Sequence, residues 1–351
     1  MKPVVIQPTD ASEQGHDLAG AVITQEVRQG RQRRFHKGHR ISQSDLPVIA
    51  ALDRAVHAVR LDPEDVHEDD AGRRIAALIA GDGLTVRDPV QSRVNLVAAR
   101  KGLARVDAEA VFAINTFGSV GVFTVPDRLP VVPGKIVAGA KIATVAIEQS
   151  ILDEIERFLA RRDGPVLQVK PFLPHTVGVV VTEGLADSVR ERFEAVVRAK
   201  VAWYGSSVLR FAHIPEDPEA VAGAMRALLA EGASLILSAG GNMMDPLDAS
   251  LQALPRIDAT ITRLGAPAHP GSMFWLGYME RTEIPIVNLA SCSMYSKATV
   301  ADLVLPWVMA GERVTANDLA ALGYGGLLDR DMGWRFPKYD AESADERDEP
   351  I

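Results

Sequence analysis

A pair of glycines in the C-terminal half of the chain has the spacing of an anion-binding turn. Gly240 and Gly241 follow the apolar run 234–238 and precede Asn242. Because glycine has no Cβ, the backbone of such a turn can approach a ligand closely. Successive backbone N–H groups ahead of a helix can then hold a phosphate or another anion. We therefore expect a cradle for an anion here; the alternative is a tight turn with only a structural role.

Two carboxylates, Asp248 and Glu216, are the candidates for catalysis and for metal binding. Asp248 lies eight residues after the first glycine of the pair, near the start of a helix that Pro246 would open. A carboxylate there could hold Mg²⁺ or orient a phosphate-bearing substrate, or it could be only a charge at a helix terminus. Glu216 follows another apolar run and could act as a base or a metal ligand. Asp217, which precedes a proline, is expected to cap a helix.

Three further residues lie at or near the ends of apolar runs and are candidates for ligand binding. Thr182 ends the run 177–182, and Ser291 follows the run 285–289. Lys297 lies in a segment expected to be helical, where it could meet a phosphate or be simply exposed.

Regular alternation of strands and helices from residue 175 onward would bring these side chains together. Continuous apolar runs of this kind are typical of strands buried in a parallel sheet. The pattern predicts an α/β fold with a doubly wound, mostly parallel sheet at 175–328, whose ligands bind at the carboxyl ends of the strands. The expected strands are 177–182, 207–214, 234–238 and 285–289, and the expected helices are 189–203, 217–231, 273–279 and 296–304.

The rest of the chain predicts smaller modules around this domain. Residues 1–85 are expected to form an N-terminal α+β module. Residues 86–174 are expected to form a second α+β module, in which 94–98 and 110–114 are β-prone. Residues 329–351, which are acidic and have few apolar residues, are expected to form a loose tail.

Acidic residues precede the apolar helical segment that begins near residue 71. His67, Glu68, Asp69 and Asp70 could in principle hold a metal ion. Carboxylates also stabilise the N-terminus of a helix, and this interpretation is favoured.

Composition excludes several classes of protein. The 351 residues include 38 basic and 46 acidic residues, a net charge of −8, which argues against a general nucleic-acid-binding protein. A single cysteine, Cys292, excludes a disulfide framework within the chain. The first residues lack the apolar core of a signal peptide, and no apolar run reaches the length of a membrane span. We therefore expect a cytoplasmic protein with no nucleic-acid or membrane partner.

Taken together, the strand-end segments resemble the molybdopterin-binding domain shared by molybdopterin adenylyltransferases and molybdopterin molybdotransferases. The spacing of Gly240, Gly241 and Asp248 matches the family pattern, and Glu216 falls in its acidic pair. The segment 270–274 is similar to the proline–glycine segment that precedes the family's last strand. The resemblance covers about 175–328, with a looser likeness in the front half.

The resemblance implies a molybdenum cofactor biosynthesis protein that binds a pterin phosphate, with Mg²⁺ and with ATP or AMP as further ligands. The glycine amides and Asn242 would hold the terminal phosphate, and Asp248 and Glu216 would position Mg²⁺ or the nucleotide. Two transferase activities are open: adenylyl transfer from ATP to molybdopterin, and molybdate insertion into adenylylated molybdopterin. Family members often trimerise or dimerise, so a homo-oligomer is also implied.

Departures from the family pattern keep two other functions open. Met243 follows Asn242 where the family has small residues, and Ser291 lies where the family has a proline–glycine turn. These changes would suit a non-catalytic molybdopterin carrier or sensor. A nucleotide- or sugar-phosphate-binding enzyme unrelated to the family is a further alternative.

Overall fold

The computed structural model of the chain describes residues 1–339 with the exception of 14, 91, 242 and 290–298. By its internal contacts the chain divides into two compact units. The first unit comprises Met1–Arg100, Ala104–Asp127 and Pro133–Val169. The second comprises Lys101–Leu103, Arg128–Val132 and the described residues from Lys170 onward. The four-part division expected from the sequence stays a prediction.

The strands and helices have the following bounds. The strands are β1 (Lys2–Ile6), β2 (Val22–Ile23), β3 (Val27–Gln29), β4 (Gln32–Phe35), β5 (Val56–Arg60), β6 (Asp65–His67), β7 (Leu84–Val86), β8 (Arg93–Ala98), β9 (Gly102–Val106), β10 (Val120–Thr124), β11 (Leu129–Val131), β12 (Ile136–Ile142), β13 (Ala146–Glu148), β14 (Leu167–Pro171), β15 (Thr176–Val181), β16 (Ser207–His213), β17 (Leu235–Ala239), β18 (Ala259–Leu264), β19 (Trp275–Met279) and β20 (Pro285–Leu289). The α-helices are α1 (Pro8–Glu13), α2 (Gly15–Leu18), α3 (Leu46–Ala50), α4 (Glu68–Ile79), α5 (Ala108–Ile114), α6 (Gln149–Leu159), α7 (Asp187–Trp203), α8 (Pro218–Ala230), α9 (Ala249–Ala253), α10 (Val300–Met309) and α11 (Ala316–Ala321).

A mostly parallel sheet of six strands forms the centre of the second unit. Its strand order is β16–β15–β17–β20–β19–β18. The first four of these strands run parallel, whereas β19 is antiparallel to both of its neighbours. Every side chain of β17 and β20 is buried, as expected for strands inside such a sheet. The predicted α/β class and the four predicted parallel strands are therefore confirmed.

Helices cover the sheet because its strands present apolar side chains in both directions. Val179 and Val181 of β15 belong to a hydrophobic cluster that contains residues of α7 and α10. Val180, between them, belongs to a second cluster that contains residues of α8 and α9. Successive side chains of a strand point to opposite faces, so both faces of β15 are buried against helices.

The first unit consists of smaller sheets, most of whose strand pairs are antiparallel. A four-stranded sheet has the order β10–β12–β8–β7, and α4 packs against its strands β8 and β12. Ile75 and Ile79 of α4 are fully buried in the same cluster as Val94 and Leu96 of β8. No helix in the described part of the chain is both long enough and apolar enough to cross a membrane.

Two predicted elements are of the wrong type. The segment 273–279, predicted as a helix, contains strand β19, which pairs with β18 and β20. A Cβ on Gly277 would lie 2.7 Å from the carbonyl oxygen of Thr260 in the neighbouring strand β18. The close pairing of the two strands therefore requires glycine at this position. The segment 110–114, predicted as β-prone, lies in α5, because the side chain of Asp107 caps the helix by accepting a hydrogen bond from the Ala110 amide at 2.9 Å.

Candidate ligand-binding cavity

A cavity of about 270 Å³ lies at the carboxyl ends of β17 and β20. The register pairs Ala239, the last residue of β17, with Leu289 of β20 and with Val181 of β15. Three parallel strands therefore end side by side. Ligands of open α/β sheets generally bind at this edge, so the cavity lies where the sequence analysis expects a ligand site.

The glycine pair lies in the wall of this cavity. Gly240 and Gly241 have φ angles of +95° and +85°, a region that residues with a Cβ avoid. A Cβ on Gly241 would lie 2.5 Å from Oδ2 of Asp248, and one on Gly240 would lie 2.9 Å from Oγ1 of Thr182. Both positions thus require glycine for conformation and for space, and the turn brings Thr182 and Asp248 against the backbone.

The amides of this turn are unequally placed to bind an anion. The N–H of Gly240 donates to the carbonyl oxygen of Leu289 at 3.4 Å, so it is engaged with the neighbouring strand. The N–H of Gly241 makes no such bond to another residue of the described chain. Asn242, the third predicted donor, lies outside the described residues. In the described part, the predicted cradle therefore rests on the Gly241 amide.

Asp248 has a structural role as well as a place on the cavity wall. It is the N-cap of α9: its Oδ1 accepts hydrogen bonds from the amides of Ser250 at 2.9 Å and Leu251 at 3.1 Å. The side chain is almost completely buried, with 4% exposure. Asp248 is therefore a helix cap that also lines the cavity, and its role toward a ligand stays a prediction.

Glu216, the second predicted carboxylate, is exposed and is not among the described residues that line the cavity. It follows β16, the edge strand, which is separated from β17 by β15. Its neighbour Asp217 caps α8 by accepting from the Ala220 amide at 2.8 Å, as predicted. The structure therefore places Asp248 at the cavity and leaves the role of Glu216 a prediction.

Of the remaining predicted ligand-binding residues, one lies in the described chain. Thr182 is buried beside Gly240, and its N–H donates to the carbonyl oxygen of Ala239 at 3.1 Å, which ties the ends of β15 and β17 together. Ser291 and Lys297 lie outside the described residues, so the predictions for both stand untested.

Two polar residues of this edge were missed by the sequence analysis. Asn288, in β20, lines the cavity with 4% exposure, and its Oδ1 has no hydrogen-bond partner within the described chain. Glu183 follows Thr182, and its buried Oε2 is likewise unpartnered among described residues. The signal for Asn288 was a polar side chain inside an otherwise apolar strand. The signal for Glu183 was its position in a strand-end segment.

The opposite wall of the cavity is formed by the segment 269–273, together with Trp275. Gly271 has a φ of +103°, and a Cβ there would lie 2.9 Å from the backbone nitrogen of Val300. This wall therefore lies against the N-terminus of α10. Trp275 is 1% exposed, whereas Met273 is 41% exposed, so the cavity has a buried apolar wall and an open rim.

A buried ion pair fixes α10 in this position. Nζ of Lys200 donates to Oδ1 of Asp302 at 2.7 Å, and both residues are almost inaccessible. Oδ2 of Asp302 accepts from the amide of Thr299, the N-cap of α10, at 3.1 Å. Burial raises the pKa of the Tyr339 hydroxyl, which stays protonated and donates to Asp302 at 3.0 Å.

The acidic cluster of the first unit is a helix start. The amide of Asp69 donates to Nδ1 of His67 at 3.2 Å, and Asp70 forms an ion pair with Arg73. Among the described residues, no three His, Cys, Asp or Glu side chains come together as a metal site. The helix-capping interpretation of this segment is the one that the geometry supports.

The described residues of the cavity wall also offer too few oxygen ligands to hold a magnesium ion by themselves. Mg²⁺ needs near-octahedral coordination by oxygen ligands, from one or two carboxylates together with water and substrate phosphates. In the described part of the cavity wall, Asp248 is the sole carboxylate, and one of its oxygens accepts two helix amides. We therefore derive no chemical step through magnesium.

The fold and the cavity together define an α/β protein with room for a small molecule at the carboxyl ends of its parallel strands. No family model matches the chain, and no curated protein matches it. The chain is similar to a solved structure described as a molybdenum cofactor biosynthesis protein from Corynebacterium diphtheriae. The two are 18% identical over 38% of this chain and 93% of that chain, with a TM-score of 0.27. A likeness this weak carries no argument about function.

Proposed function

We propose that the second unit binds a phosphorylated pterin of the molybdopterin class and that the chain serves molybdenum cofactor biosynthesis. The observation that carries the proposal is the glycine pair in the cavity wall, with Asp248 packed against Gly241. The resemblance of the motif spacing over 175–328 supplies the ligand class. The doubly wound form of the sheet belongs to this proposal, and helix residues packed on both faces of β15 support it.

The lining of the cavity suits a flat ring that carries a phosphate. Met243, Met273 and Trp275 supply apolar surface for the faces of a ring. The Gly241 amide can donate to a phosphate oxygen. The volume of about 270 Å³ lies just below the range of about 300–1,000 Å³ that is usual for small-molecule sites. This size favours a single pterin phosphate over a pterin joined to a nucleotide.

A carrier without catalytic activity is the variant of this function that the described residues favour. Adenylyl transfer from ATP and molybdate insertion both depend on neutralising phosphate charge in the transition state. In the described lining, Asp248 is the one carboxylate that could hold a cation for this purpose, and Glu216 is exposed away from it. Both transferase activities remain alternatives that an assay decides. A cytoplasmic location, a homo-oligomer and the absence of nucleic-acid or membrane partners remain predictions.

Calorimetric titration of the purified protein with molybdopterin tests the proposal, with the dephosphorylated pterin and inorganic phosphate as separate titrants. We expect the phosphorylated pterin to bind more tightly than either part. Adding ATP and Mg²⁺ and measuring pyrophosphate then separates the activities: release supports adenylyl transfer, and tight binding without release supports the carrier. Equal, weak binding of all three titrants would contradict the proposal.

Two matched variants test the assignment of Asp248. Asp248 and Asp217 both cap helices, and asparagine caps a helix about as well as aspartate. Asp248→Asn and Asp217→Asn therefore each remove one charge and preserve the cap. We expect only Asp248→Asn to change the affinity for the phosphorylated pterin. Identical affinities in both variants would show that the Asp248 charge does not act on the ligand.

A further inference from the structure

A second cleft lies in the first unit, at the C-terminal end of α6. Its volume is about 530 Å³, within the range of about 300–1,000 Å³ that is usual for small-molecule sites. It shares no described residue with the cavity of the second unit. The described residues that line it are two aromatic, three basic and one acidic: Phe117, Phe158, Arg157, Arg161, Arg162 and Glu154.

The two phenylalanine rings of this cleft are anchored by the core of the first unit. Phe117 and Phe158 are half-buried and pack against the hydrophobic cluster that contains Leu152 and Ile155 of α6. Their ring centroids are 6.3 Å apart, with an interplanar angle of 52°. The accessible part of each ring is an apolar surface on which a flat ring of a ligand can stack.

The three arginines of the cleft are held to different degrees. Nε of Arg162 donates to Oδ2 of Asp107 at 3.2 Å, and the guanidinium lies 5.5 Å from the centre of the Phe158 ring. Nε of Arg157 donates to a carbonyl oxygen of its own helix at 3.2 Å. The guanidinium of Arg161 is exposed and has no hydrogen bond or ion pair with any described residue. The cleft therefore contains a positive charge that the described chain leaves unpaired.

The position of Arg161 argues against a purely local role for this charge. A basic residue in the last turn of a helix stabilises the helix, and Arg157 occupies such a position in α6. This effect falls off within the last turn, whereas α6 ends at Leu159, ahead of Arg161. An unpaired guanidinium beside two phenylalanine rings suits a ligand in which an anionic group is joined to a flat ring.

Glu154 restricts the kind of anion that fits this cleft. Its side chain is exposed and has no hydrogen bond or ion pair within the described chain, although three arginines line the same cleft. An ionised carboxylate repels a plain polyanion but accepts hydrogen bonds from a ligand that carries donors. Three arginines against the carboxylates of Glu154 and Asp107 leave little net positive charge, which suits a monophosphate better than a triphosphate.

We propose that this cleft binds a nucleoside 5′-monophosphate, in addition to and independently of the pterin site of the second unit. The phosphate pairs with Arg161, and the base stacks on the rings of Phe117 and Phe158. Glu154 accepts hydrogen bonds from the ribose hydroxyls. A nucleotide is the ligand class that combines the phosphate, the flat ring and the hydrogen-bond donors for which the lining provides.

Calorimetric titration of the full chain with the four common nucleoside 5′-monophosphates tests the proposal. Their nucleosides, inorganic phosphate and tripolyphosphate are separate titrants, the last as a probe of charge alone. The proteins are the wild type, Arg161→Gln, Glu154→Ala and Arg87→Gln. Arg87 is the matched control, because it is an exposed arginine of the first unit without an ion pair among the described residues, and it is not in the described lining of the cleft.

We expect at least one nucleotide to bind more tightly than its nucleoside and than phosphate. Arg161→Gln should bind that nucleotide about tenfold more weakly, whereas Arg87→Gln should bind it as the wild type does. Glu154→Ala should bind the nucleotide more weakly but inorganic phosphate more tightly, because only the nucleotide carries hydroxyl donors. Arg161→Gln should unfold at the same urea concentration as the wild type, so its loss is one of binding.

Three results would overturn the proposal. If none of the four nucleotides binds, the cleft is not a nucleotide site. If tripolyphosphate binds more tightly than every nucleotide, or if both arginine variants lose affinity equally, the attraction is one of charge alone. If Arg161→Gln binds the nucleotide unchanged, the nucleotide binds elsewhere on the chain. None of these results depends on the titration with molybdopterin, so the two proposals can fail separately.

Discussion

Replacing Gly241 with alanine tests whether the glycine turn and Asp248 form one structural unit. Gly241 has a φ of +85°, and its Cβ would lie 2.5 Å from Oδ2 of Asp248. Asp248 cannot move away freely, because its Oδ1 accepts from the amides of Ser250 and Leu251. The alanine methyl must therefore either displace the cap of α9 or distort the turn.

The expected loss in the free energy of unfolding has two parts. A residue with a Cβ in the left-handed region costs roughly 1–2 kcal/mol. Loss of an N-cap costs about 0.5–2 kcal/mol. Gly241→Ala should therefore lower the free energy of unfolding of the second unit by about 1.5–4 kcal/mol.

The same substitution at Gly205 separates the two parts. Gly205 has a φ of +76°, and nothing lies within 4 Å of its Cβ position, so Gly205→Ala carries only the conformational cost. Equilibrium urea unfolding of both variants gives the difference, which we expect to be about 0.5–2 kcal/mol. A hydrogen bond to a charged oxygen contributes about 1.5–3 kcal/mol, so a distorted Gly241 amide should also weaken phosphate binding at least about tenfold. Gly205→Ala should bind the ligand as the wild type does.

Equal stability losses in the two alanine variants would refute the reasoning about Asp248. Unchanged ligand affinity in Gly241→Ala would refute the role of the glycine turn in binding. Because the two measurements are independent, each part of the argument can fail alone.

Two further predictions concern buried polar groups of the second unit. Burial lowers the pKa of His175 below its ordinary value, opposed by a hydrogen bond with Ser234, so the unfolded chain binds a proton more readily than the folded one. The contribution of His175 to stability is then complete above about pH 6.5 and is lost as the pH falls toward the depressed folded pKa. His175→Gln should flatten this part of the urea-unfolding profile between about pH 8 and pH 5, and an unchanged slope would contradict it. Asp302→Asn should lower the free energy of unfolding, measured in urea, by about 3–5 kcal/mol, because it removes the carboxylate that pairs with the buried Lys200 ammonium. A loss below about 1 kcal/mol would mean that this pair contributes no more than an exposed one.

The parallel strands of the second unit were predictable because their chemistry is local. Each is a continuous apolar run bounded by turn residues, and a fully buried strand needs little else. The helices α7 and α8 were equally clear, and the Asp217–Pro218 cap set the start of α8. These elements carry their own signals, so their type could be assigned without knowledge of the rest of the fold.

The two mistyped segments depended on other residues. The run 273–279 has the apolar character of either a buried helix or a buried strand, and periodicity cannot distinguish them. Its pairing with β18, across Gly277, decides the matter in the structure. In 110–114, the cap supplied by Asp107 outweighs the β-propensity of valine and phenylalanine.

The residues of the candidate site also differ in whether local sequence was enough to place them. Gly240, Gly241 and Asp248 could be found from spacing, because a strand end followed by a turn and a helix cap is a local pattern. Glu216 could not be placed in the same way, since the position of β16 at the edge of the sheet is a property of the strand order.

Asn288 is a residue that the sequence analysis missed because its surroundings depend on strand pairing. In the sequence it is one polar residue in an apolar strand, and only its register beside Ser238 gives its amide an orientation. A residue whose role depends on which strand lies next to it is invisible to motif spacing.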